Sequence, residues 1–310
     1  MRGLDEARQL YEDFGRDMLH RRFPDFEDRI AVGLVGRGSE CYGFDDALST
    51  DHDFEPGFCL YLTDADDLLI GGELAQAYRE LPIRRSARRS RLGEVNRGVK
   101  CIGFFYRRYL GGESAPRDLR HWLAIPSWAL AEATNGEVFR DDLGAFSAIR
   151  ETLLHGIPED VRLKKLASQL LTMAQSGQYN YTRCLRHGEE GAAMLALAEF
   201  VKAGTESIYL LNRAHAPYYK WALRGMERLS LLGEMREALS FLLTAENDAE
   251  GQALKRAVVE DICANVIAAL RAQHLSDSGA DYLEEHAFAV QERIEDAELR
   301  RMHILVTSGQ

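Results

Sequence analysis

Asp51 and Asp53 stand one residue apart in "STDHDFEPG", about a dozen residues after the glycine-rich run "GLVGRGSE". If the backbone there is extended, residues i and i+2 face the same way. Both carboxylates then project together about 7 Å apart along the chain, with His52 and Phe54 on the other side. Two such oxygens suit Mg²⁺, which binds through one or two carboxylates and leaves its other positions to water and phosphate. Gly36 and Gly38 would let backbone N–H groups approach a phosphate closely, and Ser39 Oγ would add a hydrogen bond. Metal-assisted phosphoryl chemistry is one reading of this run. An acidic surface turn with no chemistry is the competing one.

Other phosphate and metal motifs fit less well. Gly33, Gly36 and Gly38 are spaced G-x-x-G-x-G and lack a helix directly after the glycines, unlike the dinucleotide-binding fingerprint. No G-K-[ST] is present for a P-loop. His52-Asp53 resembles a histidine–aspartate metal dyad, but Thr50 and Pro56 around it are poor company for the helix that dyad needs. The remaining histidines occur singly. Cys41, Cys59, Cys101, Cys184 and Cys263 are odd in number and never form a C-x-x-C pair, arguing against a disulfide framework or a structural zinc.

The positioning elements follow from periodicity. Leu4, Ala7, Leu10, Tyr11, Phe14, Met18 and Leu19 predict an amphipathic helix over residues 4–22. "RIAVGLVG" and "GFCLYLT" predict strands, and "DADDLLIGGELAQAYREL" a helix with an acidic first turn. A further strand is expected in "VKCIGFFYRRYL", Val99 to Leu110. "PSWALAEATNGEVFRDDLGAF" reads as a short helix, a turn at Asn135-Gly136 and a second helix starting after Asp142. Beyond Pro158 only 3.6-residue periodicity remains, in about six segments, so the expected fold is α+β: a mixed α/β domain over residues 1–156 and an all-α helical bundle over 157–310.

The 310 residues carry a net charge of −11, which repels polyanions as a whole and speaks against general nucleic-acid binding. The one basic cluster, Arg84 to Lys100, is expected to border a phosphate cleft. It holds Arg84, Arg85, Arg88, Arg89, Arg91, Arg97 and Lys100 against Glu94 alone. No apolar run approaches the ~18 residues of a membrane span, and the N-terminus lacks an apolar leader core, so a cytoplasmic protein without membrane contact is expected. In the helical half, "QYNYTRC" and "NRAHAPYYKW" gather aromatic, amide and basic groups in segments read as interhelical. Arg183 or Lys220 there could meet a phosphate, while packing at a helix start explains Tyr218, Tyr219 and Trp221 equally well.

"GRGSECYGFDDALSTDHDF" resembles the signature of the DNA polymerase β-like nucleotidyltransferase superfamily, and the order of elements is similar to its small-molecule-modifying branch. "TNGEVFRDDLGAF", "GQYNYTRCLRHGE" and "PYYKWALR" also resemble an uncharacterised bacterial nucleotidyltransferase-like family. The resemblance implies that residues 1–156 are a nucleotidyltransferase-like domain in which Gly38 and Ser39 bind phosphate and Asp51 and Asp53 hold Mg²⁺. It implies an NTP, with ATP expected, as nucleotidyl donor, and a hydroxyl or similar acceptor on a small molecule rather than a macromolecule. Arg97, Lys100 and Lys220 are the expected charge-neutralising groups. The superfamily usually places a third acid on a later strand, but the expected strand "CIGFFY" has none, and Glu94 is the nearest substitute for the base. A nucleotide-binding or regulatory protein without turnover is the alternative.

Overall fold

The computed structural model describes residues 2–46, 56–83 and 96–307. The chain forms two compact units, one of Met1–Pro116 with Ala129–Gly156, the other of Arg117–Trp128 with Ile157–Gln310. The sequence-based division at residue 156 contains no excursion like that of residues 117–128.

The first unit opens with α1 (Gly3–Leu10), a π-helical turn (Tyr11–Gly15) and α2 (Arg16–Arg22), joined without a break in helical backbone over the stretch predicted to be helical. Its buried side includes Ala7, Tyr11, Met18 and Leu19. Tyr11 meets the ring of Phe58 edge-on at 5.6 Å. Full burial of Phe58 contributes roughly 1.5–3 kcal/mol.

Among the described residues four short strands form one mixed sheet: β1 (Ala31–Leu34), β2 (Cys59–Leu62), β3 (Gly98–Cys101) and β4 (Glu137–Arg140), in the order β3-β2-β1-β4. β1 is antiparallel to β2, with Gly33 opposite Cys59, and antiparallel to β4, with Leu34 opposite Glu137. β3 runs parallel to β2, with Gly98 opposite Cys59. All residues of β1 and β2 are buried. Such central strands read as continuous apolar runs, which is why the sequence shows them. α3 (Asp64–Glu80) lies between β2 and β3, and Thr63 caps it by accepting the Asp66 N–H.

The strand expected over Val99–Leu110 stops at Cys101, and α4 (Ile102–Leu110) begins at once. Ile102, Phe105, Tyr106, Tyr109 and Leu110 are buried, a spacing of i, i+3, i+4, i+7 and i+8, which is one helix face. Aromatic strand preference suggested the wrong state; the period decides it. Beyond α5 (Leu119–Ala124) come α6 (Ser127–Thr134), β4 and α7 (Ala145–His155). β4 stands directly after the turn read at Asn135-Gly136 and was not expected.

The second unit is helical: α5 belongs to it, with α8 (Glu159–Met173), α9 (Thr182–Arg186), α10 (Glu190–Leu211), α11 (Tyr219–Gly225), α12 (Met235–Thr244), α13 (Ala249–Ala272), α14 (Leu283–Glu292) and α15 (Ala297–Arg301). Among the described residues no strand follows β4. Among the described residues no helix is long and apolar enough to cross a membrane. α8 packs on α10 and α14 and is buried nearly all round, including Arg162, Lys164 and Lys165. Their charged heads are satisfied rather than solvated. Arg162 donates to Glu159 and to the Leu210 carbonyl, and Lys164 Nζ donates to Gln291 Oε1 at 3.0 Å and to the carbonyls of Met302 and His303 at 2.9 Å each. Partnered in this way, buried cations hold the bundle together where unpaired ones would disrupt it.

The segment "QYNYTRC" corrects its sequence reading. It is not a loop: α8 passes through a π-helical stretch (Ala174–Tyr181) into α9. Within this stretch position 177 requires glycine, because a Cβ there would lie 2.2 Å from Cδ2 of the fully buried Phe200 on α10. Gly177→Ala would gain about 1 kcal/mol of helix propensity but forces a rigid ring to move, at a cost of about 1–3 kcal/mol. Net destabilisation is expected in urea unfolding; a variant as stable as the parent would show that the contact is not tight.

Candidate functional site at one end of the sheet

Strand directions create this site. Because β1 is antiparallel to both β2 and β4, its C-terminal end lies beside the starts of both, and β3 starts there too because it is parallel to β2. Residues 35–43, 56–58, 96–97 and 135–136 therefore meet at one end of the sheet. The stretch between Gly36 and Phe58, which includes Asp51 and Asp53 in sequence, leaves and re-enters the sheet at that end.

The glycine-rich loop is held by side chains that bond its backbone. Asn135 Oδ1 accepts the Gly36 N–H and its Nδ2 donates to the Gly36 carbonyl, both at 2.8 Å. One side chain thus extends the ladder past the end of β1. The Gly136 N–H donates to the Cys41 carbonyl at 2.8 Å, and a Cβ on Gly136 would sit 1.9 Å from the Leu34 carbonyl oxygen. Only glycine fits there. From the β3 side, Asn96 Nδ2 donates to the Arg37 carbonyl at 2.6 Å, while its Oδ1 accepts from Lys100 Nζ at 2.6 Å. Gly36 and Gly38 have φ of +112° and +127°. Ser39 begins a 3₁₀ turn (Glu40–Tyr42), and its carbonyl accepts from Tyr42 and Phe44.

Two acids lie against this loop. Glu40 pairs with Arg97 at 2.7 Å, both side chains being more than nine-tenths buried. Burial works against the charge on Arg97, but Glu40, with Cys41 and Cys59 beyond it, carries its pKa above the ordinary arginine value. Arg97 Nη1 also donates to the Asn96 carbonyl at 2.9 Å, and its Nε has no hydrogen-bond partner among the described residues. Glu132, on α6, is buried with its Oε2 3.9 Å from Arg37 Nε, and that oxygen has no hydrogen-bond partner among the described residues. Burial raises its pKa against the opposing pull of Arg37 and Arg108.

The fold brings together four of the residues singled out by sequence: Gly38, Ser39, Arg97 and Lys100. Arg97 is occupied by Glu40 and Lys100 by Asn96. Lys220 belongs to the second unit, on α11, with its Nζ 4.8 Å from the Trp221 ring centre. Asp51, Asp53, Glu94 and Arg84 to Arg91 lie outside the described residues. Among the described residues no group of three or more His, Cys, Asp or Glu side chains is arranged to hold a metal. β3 carries no carboxylate. Asn96, Asn135, Glu40 and Glu132 were not expected. Asn135 did stand out in the sequence as a turn residue, but not as a partner of Gly36.

Residues 122–222 match the model of a family described as a domain of unknown function (DUF4037). That stretch contains Glu132, Asn135 and Lys220 but not the Gly38–Asp53 run. No curated protein and no solved structure matches the chain.

Asn135→Asp keeps the acceptor for the Gly36 N–H but turns a second oxygen toward the Gly36 carbonyl. Loss of one donor at a part-buried site is expected to cost about 1–2 kcal/mol. Urea unfolding measures it, and an unchanged midpoint would mean the loop is held elsewhere.

Proposed function

We propose that the first unit binds an NTP, with ATP the expected donor, and transfers its nucleotidyl group to a hydroxyl or similar group of a small molecule. The observation that carries this reading is the meeting, at one sheet end, of the Gly38–Ser39 loop, the cations Arg97 and Lys100, and both ends of the connection bearing Asp51 and Asp53. A positive-φ glycine beside a serine exposes N–H and O–H donors of the kind that bind phosphate oxygens. Asp51 and Asp53 would hold Mg²⁺, which when bound neutralises charge on the phosphates and on the leaving oxygen.

In this reading Gly38 and Ser39 orient the triphosphate and Lys100 offsets its charge. The acceptor oxygen forms a bond to the α-phosphorus as the bond from that phosphorus to the α,β-bridging oxygen breaks. Pyrophosphate leaves, and the acceptor proton passes to a base, for which Glu94 is the candidate in the chain. One specific observation favours a second reading, nucleotide binding without turnover: β3 has no carboxylate to complete an acidic triad.

Changing either Asp51 or Asp53 to Asn removes charge at constant size. Each single change is expected to abolish both the thermal stabilisation by Mg²⁺ with ATP and any pyrophosphate release, and the double change is expected to add little. Stabilisation of the parent without pyrophosphate would select the second reading. Equal stabilisation of the parent and Asp53→Asn would leave an acidic turn with no metal role.

A further inference from the structure

The Gly38–Ser39 loop carries an anion of its own. Both carboxylate oxygens of Glu40 lie 2.5 Å from where a Cβ on Gly38 would stand, so the absence of a side chain at Gly38 makes room for the carboxylate. The same carboxylate accepts from Arg97 Nη2 at 2.7 Å. We propose that Glu40 is an internal anion that keeps this loop closed to phosphate, and that an incoming polyphosphate opens it by taking Arg97 from Glu40. The inference rests on the loop being the phosphate site of the proposed function and adds how that site is regulated.

Three features support an exchange over a permanent structural pair. A phosphate on the loop would bring a second negative group against the buried Glu40 carboxylate, and such repulsion is strong where water is excluded. Arginine's planar fork matches phosphate as well as carboxylate, so Arg97 can change partners without losing a charge-assisted bond. Its buried Nε has no acceptor among the described residues, leaving one donor of the fork free of them in the closed state. The Asn96 carbonyl meanwhile holds Nη1, so the guanidinium need not travel to make the exchange.

If Glu40 competes in this way, the apparent affinity for polyphosphate is lowered by the fraction of molecules in the closed state. Titration calorimetry of the full chain with sodium tripolyphosphate, without divalent metal, tests this independently of Asp51 and Asp53. Glu40→Gln is expected to bind about tenfold more tightly than the parent. Equal or weaker binding by Glu40→Gln would overturn the latch while leaving the loop as a phosphate site. If neither protein binds tripolyphosphate, the phosphate reading of the loop falls and the latch with it. Removing one partner of a buried pair can prevent folding, so the parent provides a second measurement. With ¹⁵N-labelled arginine, the Arg97 Nε–H resonance, assigned by its loss in Arg97→Lys, is expected to shift on adding tripolyphosphate. An unmoved resonance at saturation would overturn the exchange.

Discussion

The antiparallel pairing of β1 with both of its neighbours is the constraint on which the rest of the first unit depends. It places the end of one strand beside the starts of two others, and β3, parallel to β2, starts at the same end, so residues far apart in sequence share one small region. Where the strand ladder ends, Asn135 continues it by offering an amide that imitates a backbone, 99 residues from Gly36. Without that clamp the Gly36 N–H and carbonyl would have to find their hydrogen bonds elsewhere, most simply in water. Asn96 does the corresponding work from β3, and because its other end accepts from Lys100, the loop's shape and its nearest cation are set by one side chain.

Charge is the second consideration. A chain of net charge −11 can receive a polyanion only where local cations outweigh that background. At the sheet end Lys100 and Arg97 provide such a place, but Glu40 already neutralises one of them in a setting too dry for solvent screening. The site is thus balanced between cation and acid. Such balance fits ligands that exchange partners better than ligands that add to a vacant charge. Glu132 extends it on the far side of Arg37, where burial favours the protonated form.

Legibility in the sequence followed the range of the interaction. β1 and β2 were readable because burial on both faces leaves an uninterrupted apolar run, and α3 because its acidic first turn marks its start, although the Thr63 cap was not read. The first helix was readable from its stripe, although its π-helical turn was not. α4 was misread because Phe104, Phe105 and Tyr106 carry strand preference, while the buried set from Ile102 to Leu110 has the helical period. β4 has only four residues, too few for alternation to show, and exists because β1 has an edge to pair with. At the site, Gly38 and Ser39 were visible as a motif. Asn96 and Asn135 were not, since an amide bonding a distant backbone leaves no spacing to read. Arg97 was visible as a charge; its partner Glu40, 57 residues away, was not.

The central claim is that a metal–nucleotide complex binds at this end of the sheet. Amide hydrogen exchange on the full chain, with and without Mg²⁺ and ATP, tests it most directly. Slowed exchange at Gly36 to Tyr42 and across residues 50–58, lost when Asp51 and Asp53 are both changed to Asn, is the expected result. Slowing confined to the second unit, or an unchanged pattern in both peptides at saturating nucleotide, would contradict it.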